Sequence, residues 1–335
     1  MATANSGKIV FSSGKTGDFD LWSLDLARGT PRQLTQGNVW NDKPKWSPDG
    51  RRVVYTSGGR GILGQEIFWI DASGGKPVQL TTTGRWADSP VYSPDGERIA
   101  YISNEGGNND VWIMDADGRN RTQVTTHTGS DNHVRWTPDG QGLLFSSDRG
   151  GDADIWRIDL STGEKTQLNA DRGADITPVP SPDGSLIAFV SNRQYESDPE
   201  DAYEDRDKDV WLMAANGGVA VRLTKNQGAD FSPCWSPDGN QLLYTADVGM
   251  QDCHLRTVDV TALRQAFQRG DVQDIRRTAD RLDHVELQYD RDGMKADIRA
   301  QRNRHIFTFW MPERWIRWIY PAGYFGKERN PDWIA

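Results

Sequence analysis

Trp136-Thr137-Pro138-Asp139-Gly140 is the segment that decides the fold, because copies of it recur along the chain at intervals of about 45 residues. The copies stand at 46–50, 92–96, 180–184 and 235–239, and a degraded sixth copy at 289–293 has lost the proline. Pro-Asp-Gly is a tight-turn sequence, because Pro presets φ, Asp bonds its own backbone and Gly accepts a positive φ. The spacing therefore predicts a repeat architecture.

Each copy is followed by segments that predict short strands. An alternating segment comes directly after the turn, at 52–57, 98–103, 142–147, 186–191 and 241–246. The next segment begins with an acid and continues with apolar and aromatic residues, as in Asp154-Ile155-Trp156, and a third ends in sequences such as Gln123-Val124-Thr125. Period-2 alternation is typical of half-buried strands. Four such strands per repeat predict one propeller blade, which buries both faces only by stacking on its neighbours.

These repeats resemble the WD-like repeats of the TolB β-propeller family over residues 8 to about 293, which implies an all-β fold with six blades. The first strand, 8–13, has no inner strand of its own, and 285–289 is an inner strand without a blade. We predict that these two pair and close the ring, removing a free edge. A seventh blade is the alternative, if 294–310 forms more of a last blade. The predicted domains are a propeller at 1–293 and an extension at 294–335.

Composition limits the classes of partner and of compartment. The 335-residue chain has a net charge of −9, which argues against nucleic acid as a partner. Its two cysteines, Cys234 and Cys253, lack metal-type spacing, and we expect both on buried strands. The sequence shows neither a signal peptide nor an apolar run long enough to span a membrane. We expect a cytoplasmic protein or one peripheral at the membrane, and a periplasmic one if a leader has been removed.

Two insertions depart from the repeat. An acidic insert at 195–209 contains alternating carboxylates at 205–209, like the start of an EF-hand loop but without its glycine and its distant glutamate. A solvated loop, a calcium site and a partner-binding loop remain open there. The second insert, 261–270, predicts a short helix that Thr261 caps and Gly270 ends.

The extension at 294–335 combines aromatic residues with an excess of Lys and Arg over acids. Clustered aromatic and basic residues suit a partner protein's groove or an anionic membrane surface. Folding back onto one face of the propeller is the alternative. The predicted docking residues are Phe307, Phe309, Trp310, Trp315, Trp318, Tyr320, Tyr324 and Phe325.

Candidate binding residues lie near the predicted channel mouth. An acid precedes each inner strand, where it would either cap a loop or receive a basic peptide or a cation; the resemblance implies docking of short peptide segments there. His133 and His284 share this setting, which leaves a channel-metal lyase as an enzymatic alternative. The acids are Asp42, Asp88, Asp131, Asp175, Asp230 and Asp283.

The sequence favours a non-enzymatic interaction scaffold, an accessory or peripheral subunit of a larger complex that can be membrane-bound. No Gly-x-Ser-x-Gly nucleophile motif is present, and we expect no cofactor, no catalytic residue and no metal. The alternatives are a propeller-fold enzyme such as the lyase, a regulatory propeller that works with a protease, and a TolB-like periplasmic transport component.

Overall fold

The protein is an all-β propeller in a computed structural model. The described residues are 8–13, 19–25, 31–37, 39–58, 64–193, 208–225, 228–247, 253–286, 288–289, 296–297 and 332–334. The predictions for the acidic insert up to residue 207 and for the aromatic docking residues at 307–325 lie outside them, and the division into two domains stays a prediction.

Antiparallel strands fill six four-stranded sheets, five of them built from four consecutive strands. Sheet 1 contains β1 (Lys8–Ser13), β2 (Asp20–Asp25), β3 (Pro31–Gln33) and β26 (Asp332–Ile334). Sheet 2 contains β4 (Trp40–Trp46), β5 (Arg52–Gly58), β6 (Glu66–Asp71) and β7 (Val78–Gln79). Sheet 3 contains β8 (Ala87–Tyr92), β9 (Arg98–Ser103), β10 (Asp110–Asp115) and β11 (Thr122–Gln123). Sheet 4 contains β12 (Asp131–Trp136), β13 (Gly142–Ser147), β14 (Asp154–Asp159) and β15 (Lys165–Gln167). Sheet 5 contains β16 (Asp175–Pro180), β17 (Leu186–Ser191), β18 (Asp209–Ala214) and β19 (Ala220–Arg222). Sheet 6 contains β20 (Asp230–Trp235), β21 (Gln241–Asp247), β22 (Cys253–Asp259) and β23 (His284–Glu286).

Blade number and closure depart from the sequence prediction. Five blades consist of consecutive strands, rather than the predicted six, and sheet 1 takes β26 from the far end of the chain. The predicted pairing of 8–13 with 285–289 is wrong, because β1 pairs with β26, and β23 pairs with β22 at the outer edge of sheet 6. A seventh blade finds no support, because the described part of 294–310 is the two-residue β25 (Ala296–Asp297), paired with β24 (Gln288–Tyr289).

Inner strands of neighbouring sheets contact one another, and the core lies between the sheets. Trp136 on β12, for example, packs in one cluster with Ile102 and Val111 of sheet 3. Its indole Nε1 donates a hydrogen bond to the carbonyl of Val91, at 3.2 Å, and so ties sheet 4 to sheet 3. The aromatic residue of the repeat therefore serves the stacking that a single blade cannot supply.

The Pro-Asp-Gly turns form as the sequence predicts. The carboxylate of Asp139 accepts hydrogen bonds from the Thr137 hydroxyl at 2.5 Å and from the Gln141 amide at 3.0 Å, and these bonds lower the pKa of Asp139. Gly140 has φ 68°, in the left-handed region. A Cβ on Gly140 would lie 3.7 Å from Cδ of Pro94, the proline of the preceding turn, so consecutive turns touch along one rim of the propeller. We call this rim, which carries the turns, the lower rim.

The insert after β22 contains two helices where the sequence predicts one. Helix α1 spans Thr261–Arg269 and ends at Gly270 in the left-handed conformation, but Val260 takes the N-cap position without a side-chain bond, so the predicted cap by Thr261 is wrong. Helix α2 spans Val272–Ala279, and the Asp271 carboxylate caps it. Leu263 and Ile275 bury the helices against the core of sheets 5 and 6. No helix within the described residues is long and apolar enough to cross a membrane.

Candidate functional site

The upper rim, where β4, β8, β12, β16 and β20 begin, holds five of the six predicted acids. Asp131, Asp175 and Asp230 are the first residues of their strands, and each is fully buried. Each lies in register with the last or near-last residue of the neighbouring strand, Ser147, Ser191 or Ala246. These three acids are therefore structurally equivalent.

Asp42 and Asp88 lie one residue further along their strands, in register with Thr56 and Ile102. The Asp88 carboxylate accepts hydrogen bonds from the Thr56 hydroxyl at 2.9 Å and from Nζ of Lys43 at 2.6 Å. Both donors belong to sheet 2, so Asp88 joins sheet 3 to its neighbour. The six acids are thus not one ring. Asp42 and Asp88 precede the aromatic residue of their repeat by four residues, whereas Asp131 and Asp230 precede theirs by five, and the two spacings correspond to two different registers.

Asp283 and His284 are not at the channel mouth. They lie at the start of β23, the outermost strand of sheet 6, because β23 pairs with β22 and not with β1. Nδ1 of His284 is 2.9 Å from the Tyr244 hydroxyl, and burial lowers the pKa of this histidine. His133 is instead on the inner strand β12, with Nδ1 2.7 Å from the Ser146 hydroxyl. The predicted shared setting of the two histidines, on which the lyase alternative depended, is wrong.

Backbone strain recurs at one position of each inner strand. His133 has φ 56°, in the left-handed region that residues other than glycine rarely adopt. The register of β12 against β13 shifts between Asn132 and Arg135, as in a β-bulge. The same conformation occurs at Lys43, Ser89, Thr177 and Ser232.

Buried acids meet in pairs across the sheet boundaries of the upper rim. The acid that begins the third strand of one sheet lies near the acid that begins the inner strand of the next, so that the pKa of each third-strand acid is raised, first by burial and also by its neighbour's charge. Burial raises the pKa of Asp154 and of Asp175 to about 6, and that of Asp209 to about 7. The three pairs are Asp110 with Asp131, Asp154 with Asp175 and Asp209 with Asp230.

Arginines that the sequence analysis did not single out form an ion pair with one acid of each of these pairs, and for Asp209 the partner is Arg222, at 2.7 Å. Nη2 of Arg149 lies 2.8 Å from both carboxylate oxygens of Asp131. Arg193 binds Asp175 through Nε, which lies 3.2 Å from Oδ1, and through Nη2, which donates to Oδ2. The Arg149 guanidinium also lies over the rings of Phe145, at 5.3 Å, and Trp156, at 4.8 Å. The signal was available, because an arginine stands two residues after the last serine of β13 and of β17.

The described groups of the rim do not assemble a metal site. Among the described residues no group of three or more His, Cys, Asp or Glu side chains is placed to hold a metal ion. Acids at the rim are instead bonded to hydroxyls, amides and guanidinium groups of the neighbouring strands. This arrangement fixes the rim as a preformed surface.

Comparisons with known proteins agree with the fold. The family model described as TolB beta propeller domain matches residues 3–106 and 86–199, together more than half of the chain. Over 45 residues the chain is 40% identical to an uncharacterized protein of Agrobacterium fabrum (strain C58), a match that covers 13% of this chain and 15% of that protein.

Three solved structures are similar in fold. TolB from Acinetobacter baumannii has a TM-score of 0.62 at 24% identity, covering 76% of this chain and 61% of that chain. A TolB-type protein of Agrobacterium tumefaciens has a TM-score of 0.59 at 19% identity, covering 84% and 89%. A puromycin-hydrolyzing peptidase of Mycobacterium tuberculosis has a TM-score of 0.55 at 18% identity, covering 78% and 43%. Identities this low indicate the fold and not the activity.

Proposed function

This chain belongs to the TolB β-propeller family, and we propose that it is a non-enzymatic binding scaffold, an accessory or peripheral subunit of a larger complex. The observation that supports the proposal most directly is that the acids of the upper rim are held by hydrogen bonds and ion pairs. Asp88, Asp131 and Asp175 each bind a side chain of their own or the neighbouring sheet, so the surface is fixed before a partner arrives. A preformed surface loses little conformational entropy on binding.

The partner that suits the upper rim is a basic protein segment. Asp148, Asp152 and Asp171 are exposed there, in the loops that follow β13 and β15. Asp148 accepts a hydrogen bond from the Ser130 amide at 2.6 Å, and Asp152 accepts one from the Gly173 amide at 3.2 Å, which fixes both carboxylates. The acidic insert also joins β17 to β18 at this rim, since Ser191 and Asp209 are paired. Fixed negative charge attracts and orients a basic partner.

The test begins with tagged full-length protein, purified from its native host in mild detergent, and with identification of the partner that co-purifies. Partner affinity is then measured for the upper-rim variant Asp148→Asn, Asp152→Asn, Asp171→Asn and for a lower-rim control, Glu97→Gln, Asp117→Asn, Glu164→Gln. We expect about tenfold weaker, salt-sensitive binding for the upper-rim variant and a change of less than about twofold for the control. No partner at all, or an equal loss in the control, would refute the proposal.

We propose that the aromatic extension docks onto this partner or an anionic membrane surface. Truncation after Arg304 is not a clean test, because it also removes β26, which pairs with β1. Replacing Trp310, Trp315 and Trp318 by Ser in the full chain keeps that strand. We expect the substituted protein to lose partner or vesicle association while its far-UV circular dichroism is unchanged. Retained association would contradict a docking role.

We also propose that sheet 1 acts as the sixth blade and stands next to sheet 6. Its four-stranded form and its mixed origin, with β26 from one end of the chain and β1 from the other, support this arrangement. A disulfide or crosslink engineered between the two sheets should form without loss of stability. Cytoplasmic, peripheral or periplasmic residence stays a prediction, which fractionation of native cells tests.

A further inference from the structure

A cleft of about 510 Å³ opens between sheets 1 and 2. Its floor is the aromatic pair Tyr55 on β5 and Phe68 on β6, which lie in register with their rings stacked at 6.0 Å. Asn41, Ser57, Glu66 and Gln79 supply polar groups around the floor. The cleft thus offers the partly exposed ring of Phe68, with the buried Tyr55 ring stacked against it, beside hydrogen-bonding groups.

Two other sheets show what covers the same pair of positions. In sheet 4 the register-paired rings of Phe145 and Trp156 lie under the guanidinium of Arg149. In sheet 5 the rings of Phe189 and Trp211 lie under Arg193, at 5.1 and 5.0 Å. Each arginine follows the last serine of its middle strand by two residues.

In sheet 2 no arginine is among the described residues that line the cleft. Ser57 takes the place of that serine, since it pairs with the first residue of β6, and the sequence two residues later has Gly59. Asn41 takes the place of Asp131 and Asp175, which bind the arginines in sheets 4 and 5. Both members of the buried ion pair are therefore replaced together, and Phe68 is left partly exposed, whereas Tyr55 is buried.

Sheet 3 carries its arginine at another position. Tyr101 and Trp112 form its aromatic pair, and Arg121 lies 3.1 Å from Glu105, the residue two after Ser103. In sheet 2 the place of Arg121 is taken by Pro77, because Thr122 and Val78 begin equivalent strands. Among sheets 2 to 5, which all carry this aromatic pair, only sheet 2 lacks an arginine at both positions.

We propose that the cleft binds the arginine side chain of a partner peptide, which takes the place that Arg149 and Arg193 take in their own sheets. A planar guanidinium stacks on Tyr and Phe rings, whereas the compact ammonium of Lys does not match this geometry. The Asn41 amide bonds the Asp20 carboxylate at 3.4 Å, and Glu66 lines the cleft, so buried carboxylates lie close to the position of the incoming cation. The arginine would donate to the amide oxygens of Asn41 and Gln79.

The probe is Nα-acetyl-arginine-N-methylamide, titrated into the full-length protein by ligand-observed NMR beside its citrulline and lysine analogues. We expect the arginine probe to bind about tenfold more tightly than citrulline, which keeps the shape but loses the charge. Phe68→Leu should weaken arginine binding by about tenfold, because it removes one π face. Equal binding of citrulline and arginine would overturn the proposal.

A second variant refills the cleft without changing net charge. Asn41→Asp with Gly59→Arg restores the pair seen in sheets 4 and 5, and we expect it to abolish probe binding. Gln141→Arg, exposed at the lower rim, is the matched control and should bind as wild type does. Urea unfolding of all variants verifies folding. Unchanged binding by a folded refilled variant would overturn the proposal.

Two further variants separate this cleft from other arginine sites. Arg60→Ala removes the arginine of the chain's own β5–β6 connection. Probe binding at wild-type affinity or tighter supports the cleft as the binding site, whereas loss of probe binding overturns the proposal. The upper-rim variant Asp148→Asn, Asp152→Asn, Asp171→Asn should bind the probe as wild type does. If probe binding is lost only in that variant, arginine recognition lies at the upper rim, and the proposal for the cleft is refuted.

Discussion

Arg149 and Asp131 are 18 residues apart, yet Nη2 of the arginine lies 2.8 Å from both carboxylate oxygens of the aspartate. The Asp131 side chain is fully buried and the Arg149 side chain is 9% exposed. The same guanidinium covers Trp156 on the third strand. One side chain thus ties together the first three strands of sheet 4 at the upper rim.

Arg149→Ala should destabilise the protein by about 3 kcal/mol, because it leaves the Asp131 carboxylate buried without its cation. Urea unfolding at pH 7 measures this change. Arg119→Ala is the control, since Arg119 pairs with Asp117 on the exposed surface, and we expect it to leave the free energy of unfolding nearly unchanged. Equal effects of the two substitutions would show that burial does not govern the pair.

The free energy of unfolding should fall as the pH rises from 4 to 6, because Asp154 titrates differently in the folded and unfolded states. Burial raises the pKa of Asp154 in the folded protein to about 6. Between these pH values the unfolded chain loses the proton while the folded protein keeps it, so rising pH favours the unfolded state. Asp154→Asn does not titrate, and its stability relative to wild type should rise by about 2 kcal/mol between pH 4 and pH 7. A difference independent of pH would contradict the raised pKa.

Gly140→Ala should destabilise the protein by about 1 kcal/mol, because φ is 68° there and a Cβ is strained in that region. A steric clash is not the cause of this loss, since the added Cβ would lie 3.7 Å from Cδ of Pro94, an ordinary van der Waals distance. Gly150→Ala provides the matched control: its Cβ would also meet its neighbours at 3.7 Å or more, without a positive φ. Thermal unfolding of both variants compares them, and a Gly150→Ala that costs as much would rule out backbone strain.

Deletion of residues 331–335 should destabilise the propeller, because β26 supplies the strand that pairs with β1. Loss of β26 exposes the edge of β1, and we expect a lower thermal midpoint together with more aggregation. Removal of Ala335 alone, which lies beyond β26, should leave the midpoint unchanged. A deletion variant as stable as wild type would show that β26 does not contribute to closure.

The repeats made most of the fold predictable, as sheets 2 to 5 show. Their strand bounds follow the segments predicted after each Pro-Asp-Gly copy, for example Arg98–Ser103 and Gly142–Ser147. Turn chemistry and period-2 alternation are local properties, which a sequence displays directly. The candidate site was less predictable, since Asp42 and Asp88 differ in register from Asp131, and a one-residue shift changes the face to which a side chain points.

By itself the sequence determined the propeller, its turns and the place of each blade's strands, because these depend on residues within one repeat. Only the tertiary structure decided which strand pairs with β1, since the choice between 285–289 and Asp332–Ile334 depends on contacts between distant parts of the chain. It also placed His284 on the outermost strand of sheet 6, whereas His133 lies on the inner strand of sheet 4. The cover of Arg149 over Trp156, and the lack of an arginine among the described residues around Phe68, likewise emerge only when strands are brought side by side.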